Sequence, residues 1–183
     1  MIEMTLPALT TLVSMIMSLS TTNPITQYES TDIHEDLYCL ALNAYHEARG
    51  VGMTEMMAVS QVVMNRANRR EIFEPICAVV TEGPVRESWK TRDNKALLEE
   101  ERIYIPIKHK CQFSWWCDGR SDIVRNFKGW KDAILAAYLV YNNYGEDKVH
   151  GALYYYAHDK IDRPVWAKNM QVTAVLAGHT YLK

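Results

Sequence analysis

LYCLALNAYHEARGVG, residues 37–52, decides how this chain is read. Leu37, Leu40, Ala41, Ala44, Tyr45 and Ala48 recur at the three- and four-residue spacing of one helix face. Asp32 or Thr31 is placed to cap the start, and Gly50 and Gly52 stop the run. Into this apolar pattern the sequence sets Glu47. Burying a carboxylate is costly unless it is paired or protonated. Glu47 falls in the last turn, at the negative end of the helix macrodipole, with Leu42, Ala44 and Ala48 around it. Both surroundings favour the protonated form and raise its pKa. A carboxylic acid kept neutral at about pH 7 can protonate a glycosidic oxygen. The competing reading is a surface Glu47 paired with Arg49.

Outward from this helix the pattern stays mainly helical. TEMMAVSQVVMNRANRR, residues 54–70, sets Met57, Val59, Val62, Val63 and Arg66 on a second helix with Thr54 as N-cap. IFEPICAVVTEG, residues 72–83, reads as a short helix or strand closed by Gly83-Pro84. Residues 84–110 are mixed and polar, and DNKALLEEERIYI leaves room for one more helix. GWKDAILAAYLVYNNYG, residues 129–145, is an amphipathic helix ending at a glycine. ALYYYAH, residues 152–158, has strand propensity, and the tail suggests a short strand pair turning at Gly178. The fold class expected is α+β, mainly helical, with a small sheet.

The totals narrow the function. A chain of 183 residues is expected to be one domain with a short appendage. A net charge of -2 gives no support for nucleic-acid binding, which leaves a basic footprint. The basic run Asn65 to Arg70 reads as a solvated helix end. Eleven Tyr and five Trp against three Phe favour surfaces that grip amphipathic ligands such as sugar rings. Cys39, Cys77, Cys111 and Cys117 form no CxxC pair. They are compatible with two disulfides, for which three connectivities exist, or with four buried thiols. LPALTTLVSMIMSLS, residues 6–20, is too short and too polar for a membrane-spanning helix. It reads as an export segment or weak anchor making transient membrane contact, followed by a polar linker to residue 33.

Two further groups carry potential chemistry. In CQFSWWCDGRSD, residues 111–122, a surface loop or hairpin is expected, with Trp115 and Trp116 as a partly exposed platform. Gln112 and Ser114 would supply hydrogen bonds to sugar hydroxyl or acetamido groups. Among the six histidines, His150 and His158 with Asp159 invite a metal reading, and with it a metal-dependent amidase or peptidase. No HExxH, GxSxG or P-loop occurs, and neither a metal nor a cofactor is expected.

Several segments in order carry a resemblance: CLALNAYHEARG (39–50), AVSQVVMNR (58–66), CAVV (77–80), QFSW (112–115), GALYY (151–155), PVWA (164–167) and Gly178-His179. The series resembles the cell-wall hydrolases typified by the spore cortex-lytic enzymes, from about residue 36 to the C-terminus. The resemblance implies a lysozyme-like or lytic-transglycosylase-like catalytic domain over residues 34–183. Its implied partner is peptidoglycan glycan strands, cut between N-acetylmuramic acid and N-acetylglucosamine. Glu47 maps onto the family's catalytic acid. Gln112, Ser114, Trp115, Tyr154, Tyr155, Trp166 and His179 are the implied glycan-contacting residues. The second glutamate that often follows EARG in the family is Val51 here. Tyr154 and Tyr155 alternate on a strand, so one of them should belong to the core. Disulfides, an exported location in the periplasm or cell wall, a monomer, and a role as phage endolysin or remodelling enzyme also follow from the resemblance. A non-catalytic glycan-binding protein of the same fold is the remaining alternative.

Overall fold

The structure is a computed structural model that describes residues 32–69 and 73–183. The expected export segment therefore lies outside the described residues up to position 31, as do Thr31 and Arg70. The described part is α+β and mainly helical, with two small antiparallel sheets.

Helix α1 (Asp32–Ala48) buries the face read from the sequence: Leu37, Leu40, Ala41, Ala44, Tyr45 and Ala48 are all in the core. It packs on α2 (Met53–Ala67) and on α5 (Phe127–Tyr141). Trp130 of α5 is 1% exposed and takes the ring edges of Tyr38 and Tyr45 at 5.8 and 6.0 Å. The Tyr45 hydroxyl accepts hydrogen bonds from the backbone of Arg125 and Asn126, which fixes the entry to α5. Each large apolar side chain buried here contributes roughly 1.5–3 kcal/mol. The helices therefore supply most of the stability, and the sheet is fitted against them through a smaller cluster of Ala58, Val62, Val149, Ala152 and Tyr181.

Short α3 (Ile76–Val80) is tied to α1 twice. Asp36 accepts a hydrogen bond from the Ile76 amide at 2.8 Å, and Cys39 is bonded to Cys77. The second disulfide joins Cys111 to Cys117. This resolves the three connectivities that spacing left open.

Several boundaries differ from expectation. Helix α2 starts at Met53, one residue before Thr54, and its N-cap is Gly52 with φ 118°, a conformation open to glycine. Asp32 is already helical rather than a flanking cap. Helix α5 ends at Tyr141, not at Gly145, because Asn143 takes a left-handed φ of 56° that asparagine tolerates. DNKALLEEERIYI holds no further α-helix. It makes one 3-10 turn, Glu99–Glu101, and then strand β2 (Tyr104–Pro106), which pairs with β1 (Val85–Glu87). A single-turn helix α4 (Trp89–Arg92) lies between them. Arg102 bridges to Glu87 at 2.6 Å across this hairpin. The Glu-rich turn has no apolar face to bury, so strand pairing by Tyr104 and Ile105 prevails.

The second sheet has the order β3 (Tyr154–Tyr156), β5 (Thr180–Leu182), β4 (Val172–Val175). Central β5 is fully buried. Tyr155 sits opposite Tyr181, with Tyr154 and Tyr156 on the other face of the pleat.

Candidate active site

Glu47 stands one residue from the end of α1, half-buried. Burial raises its carboxyl pKa to about 7, against the nearby Tyr155 hydroxyl and the charge of Lys160, which both pull it down. The buried Tyr155 hydroxyl faces the Glu47 carboxyl and makes no well-formed hydrogen bond among the described residues. Arg49 does not pair with Glu47. It is exposed and lays its guanidinium over the Tyr45 ring at 4.7 Å. His46 turns away as well, stacking on Trp115 at 4.6 Å, with Nε2 against the Asp122 carbonyl.

Glu47 opens into a groove of about 550 Å³. One wall is the loop after Cys111, from which exposed Gln112 and Ser114 project. The other wall is β3 and the segment that follows it, with Tyr154, Tyr155 and Trp166. His179 closes one side from the β4–β5 turn. Trp166 is 51% exposed and sits 6.2 Å from Tyr154 at 51°, giving the groove an aromatic rim. Tyr155 is the tyrosine that packs into the core, as strand alternation requires of one of the pair, while its hydroxyl still reaches Glu47.

Trp115 does not line this groove. It is 6% exposed, and its Nε1 donates to Asn43 at 3.0 Å. Instead of a hairpin or an exposed platform, residues 114–117 form a 3-10 turn closed by the second disulfide, and this turn drives Trp115 into the core. Its neighbour Trp116 is partly buried.

Arg66 enters the site instead. Far from a solvated helix end, it is partly buried in the groove wall. Its Nε donates to the Leu153 carbonyl at 2.6 Å, and its guanidinium lies over Phe113 and Tyr154 at 5.2 and 5.1 Å. Asn65 donates to the Ala152 carbonyl beside it. The signal was present in the stripe Val59, Val62, Val63, Arg66, which places this arginine on the apolar face of α2.

Among the described residues that line the groove, Glu47 is the only carboxylate. His150, His158 and Asp159 do not assemble as a donor set: no group of three or more His, Cys, Asp or Glu able to hold a metal occurs among the described residues. His158 Nδ1 meets the Thr180 hydroxyl at 3.2 Å instead. The arrangement is a carboxyl whose pKa burial raises to about 7, in an aromatic groove with amide and hydroxyl groups at its rim. It can deliver a proton to a bound polar ligand.

The family model described as Cell Wall Hydrolase matches residues 50–182. No curated protein and no solved structure matches this chain. The match covers most of the chain, including Arg66, both groove walls and His179. The chain belongs to the cell wall hydrolase family.

Proposed function

We propose that this protein cleaves the glycan strands of peptidoglycan between N-acetylmuramic acid and N-acetylglucosamine, as a lytic transglycosylase with Glu47 as its single acid and base. The observation that carries this reading is a lone, half-buried carboxyl on an aromatic groove, held protonated up to about pH 7.

Glu47 gives its proton to the glycosidic oxygen as the C1–O bond of the muramic acid breaks. The resulting carboxylate takes the proton of the C6 hydroxyl, and O6 closes on C1 to leave a 1,6-anhydro end. Glu47 finishes protonated, and no water is consumed. A hydrolytic glycosidase ordinarily needs a second carboxylate within about 5–9.5 Å. The internal hydroxyl removes that need, which suits a groove with one acid. Tyr155 steadies the carboxylate formed in the first step, since its hydroxyl faces that carboxyl and favours its charged form. Tyr154 and Trp166 offer ring faces to sugars, and Gln112 and Ser114 offer polar groups to their substituents. His179 borders the same pocket.

Residues 1–33 would carry the chain out of the cytoplasm, where it acts as a monomer on the wall. Two disulfides suit an oxidising compartment. Among the described residues no helix is long and apolar enough to cross a membrane.

Mass spectrometry of the soluble products from purified sacculi tests the reaction. Muropeptides with anhydro ends are expected. Ends heavier by one water would make the enzyme a muramidase, and free peptides with intact glycan would exclude glycan cleavage.

The pH dependence follows from the same acid. Glu47 must begin protonated, and its pKa is about 7. The rate constant kcat/KM for sacculi is therefore expected to fall as pH rises through that value. A rate still climbing between pH values of roughly 7 and 9 would show that a protonated acid does not drive cleavage.

A further inference from the structure

A second glutamate is buried close by, and the mechanism above does not use it. Glu55 lies in the first turn of α2 and is 2% exposed. That position puts it at the positive end of the helix dipole. Two donors meet its Oε1: His179 Nδ1 at 2.8 Å and the Tyr181 hydroxyl at 3.1 Å. Gly178 packs beside this contact and closely against Val51. A Cβ there would come within 3.0 Å of Val51 and 3.7 Å of Glu55 Oε1.

His179 is the link to the groove. It is 4% exposed, yet it lines the same cavity as Glu47. Its ring meets Tyr155 edge-on, centroids 5.0 Å apart at 76°. Tyr155 also touches Tyr181 at 5.8 Å. Tyr155 in turn lines the same cavity as Glu47 and turns toward its carboxyl the buried, unpartnered hydroxyl that pulls the Glu47 pKa down. A carboxylate only accepts hydrogen bonds, so Nδ1 carries the proton and the neutral ring keeps Nε2 bare. Burial holds the His179 pKa down, against the opposing pull of Glu55, which keeps the ring neutral. Packing against Tyr155 holds the buried ring in place, and the bond to Glu55 selects which ring nitrogen faces Glu55.

We propose that Glu55 is a positioning residue for the reaction: by fixing the tautomer and orientation of His179, it holds the Tyr155 hydroxyl against Glu47. The inference rests on the catalytic reading of Glu47 and assigns Glu55 no contact with substrate.

The test is Glu55→Gln, assayed on purified sacculi beside Tyr181→Phe and Glu47→Gln. In Glu55→Gln a displaced Tyr155 lowers kcat about tenfold, the scale of a small misplacement of a reacting group, while KM stays within about twofold. The alkaline limb moves to higher pH, because Glu47 loses the nearby Tyr155 hydroxyl that pulls its pKa down. Tyr181→Phe removes the other donor, leaves the His179 anchor, and keeps the parental limb. Parental kcat and limb in Glu55→Gln overturn the inference, and so does an equal limb shift in Tyr181→Phe. If Glu47→Gln stays active, the function itself is wrong. If it is inactive while Glu55→Gln behaves as the parent, only the positioning role fails. Should Glu55→Gln not fold, nitrogen-15 NMR of His179 in the unaltered protein decides. A neutral Nδ1–H ring supports the inference, and an Nε2–H ring overturns it.

Discussion

Glu47→Gln is expected to stop glycan cleavage. The substitution keeps the shape of the side chain and its place at the end of α1, but removes the transferable proton. Loss of a general acid costs about 10²–10⁴-fold in rate. Release of soluble muropeptides from purified sacculi measures it. Parental release by the variant would exclude Glu47 as the acid.

The same substitution should stabilise the fold at high pH. The carboxyl pKa is raised on folding from 4.5 to about 7. A carboxyl shifted in this direction favours the folded state fully at low pH, and that advantage fades as pH rises from 4.5 through about 7. Glutamine does not titrate. The variant should therefore melt above the parent at about pH 8, and the gap should close at about pH 4. A gain that persists unchanged at low pH would mean the effect is not ionisation. A site that is strained by its own acid and relieved by losing it is the expected signature of function bought at the expense of stability.

The second large effect concerns the bridge between α1 and α3. Cys39 and Cys77 are separated by 38 residues. Closing a loop of that length in the unfolded chain stabilises the fold by about 4 kcal/mol, whereas the six-residue Cys111–Cys117 loop is worth about 2 kcal/mol. Replacing Cys39 and Cys77 together by Ala should lower unfolding stability by about 4 kcal/mol in urea titration. The bridge joins α1, which carries Glu47, to the helix that Asp36 caps, so the loss should be global. The short bridge instead closes the loop that bears Gln112 and Ser114. A change below about 1 kcal/mol for the Cys39/Cys77 pair would mean that the bridge does not constrain the chain.

Much of the architecture was legible because periodicity reports burial directly. The stripe from Leu37 to Ala48 named the face of α1, and the apolar runs of α2 and α5 named the other two helices. The helix ends were less legible. Thr54 looked like a cap, but Gly52 sets the start of α2; Gly145 looked like a stop, but Asn143 breaks α5 first. Such ends depend on which backbone groups find partners, and several residue types can satisfy them. The segment at 84–110 misled for a related reason. Its helix formers had no face to bury, so pairing between β1 and β2 decided its form.

The sequence by itself determined that a carboxyl would stand in the last turn of an apolar helix, with burial or pairing to Arg49 left open, and that the fold would be helical with a small sheet. Those facts follow from local spacing. Only the tertiary structure decided what surrounds that carboxyl. It buried Trp115 behind His46, drew Arg66 out of a basic run into the groove wall, and set Glu55 against His179, a residue more than a hundred positions away. Each of these depends on which surfaces meet across the core. A contact between distant segments leaves no periodic trace in either one, so composition and spacing do not reveal it.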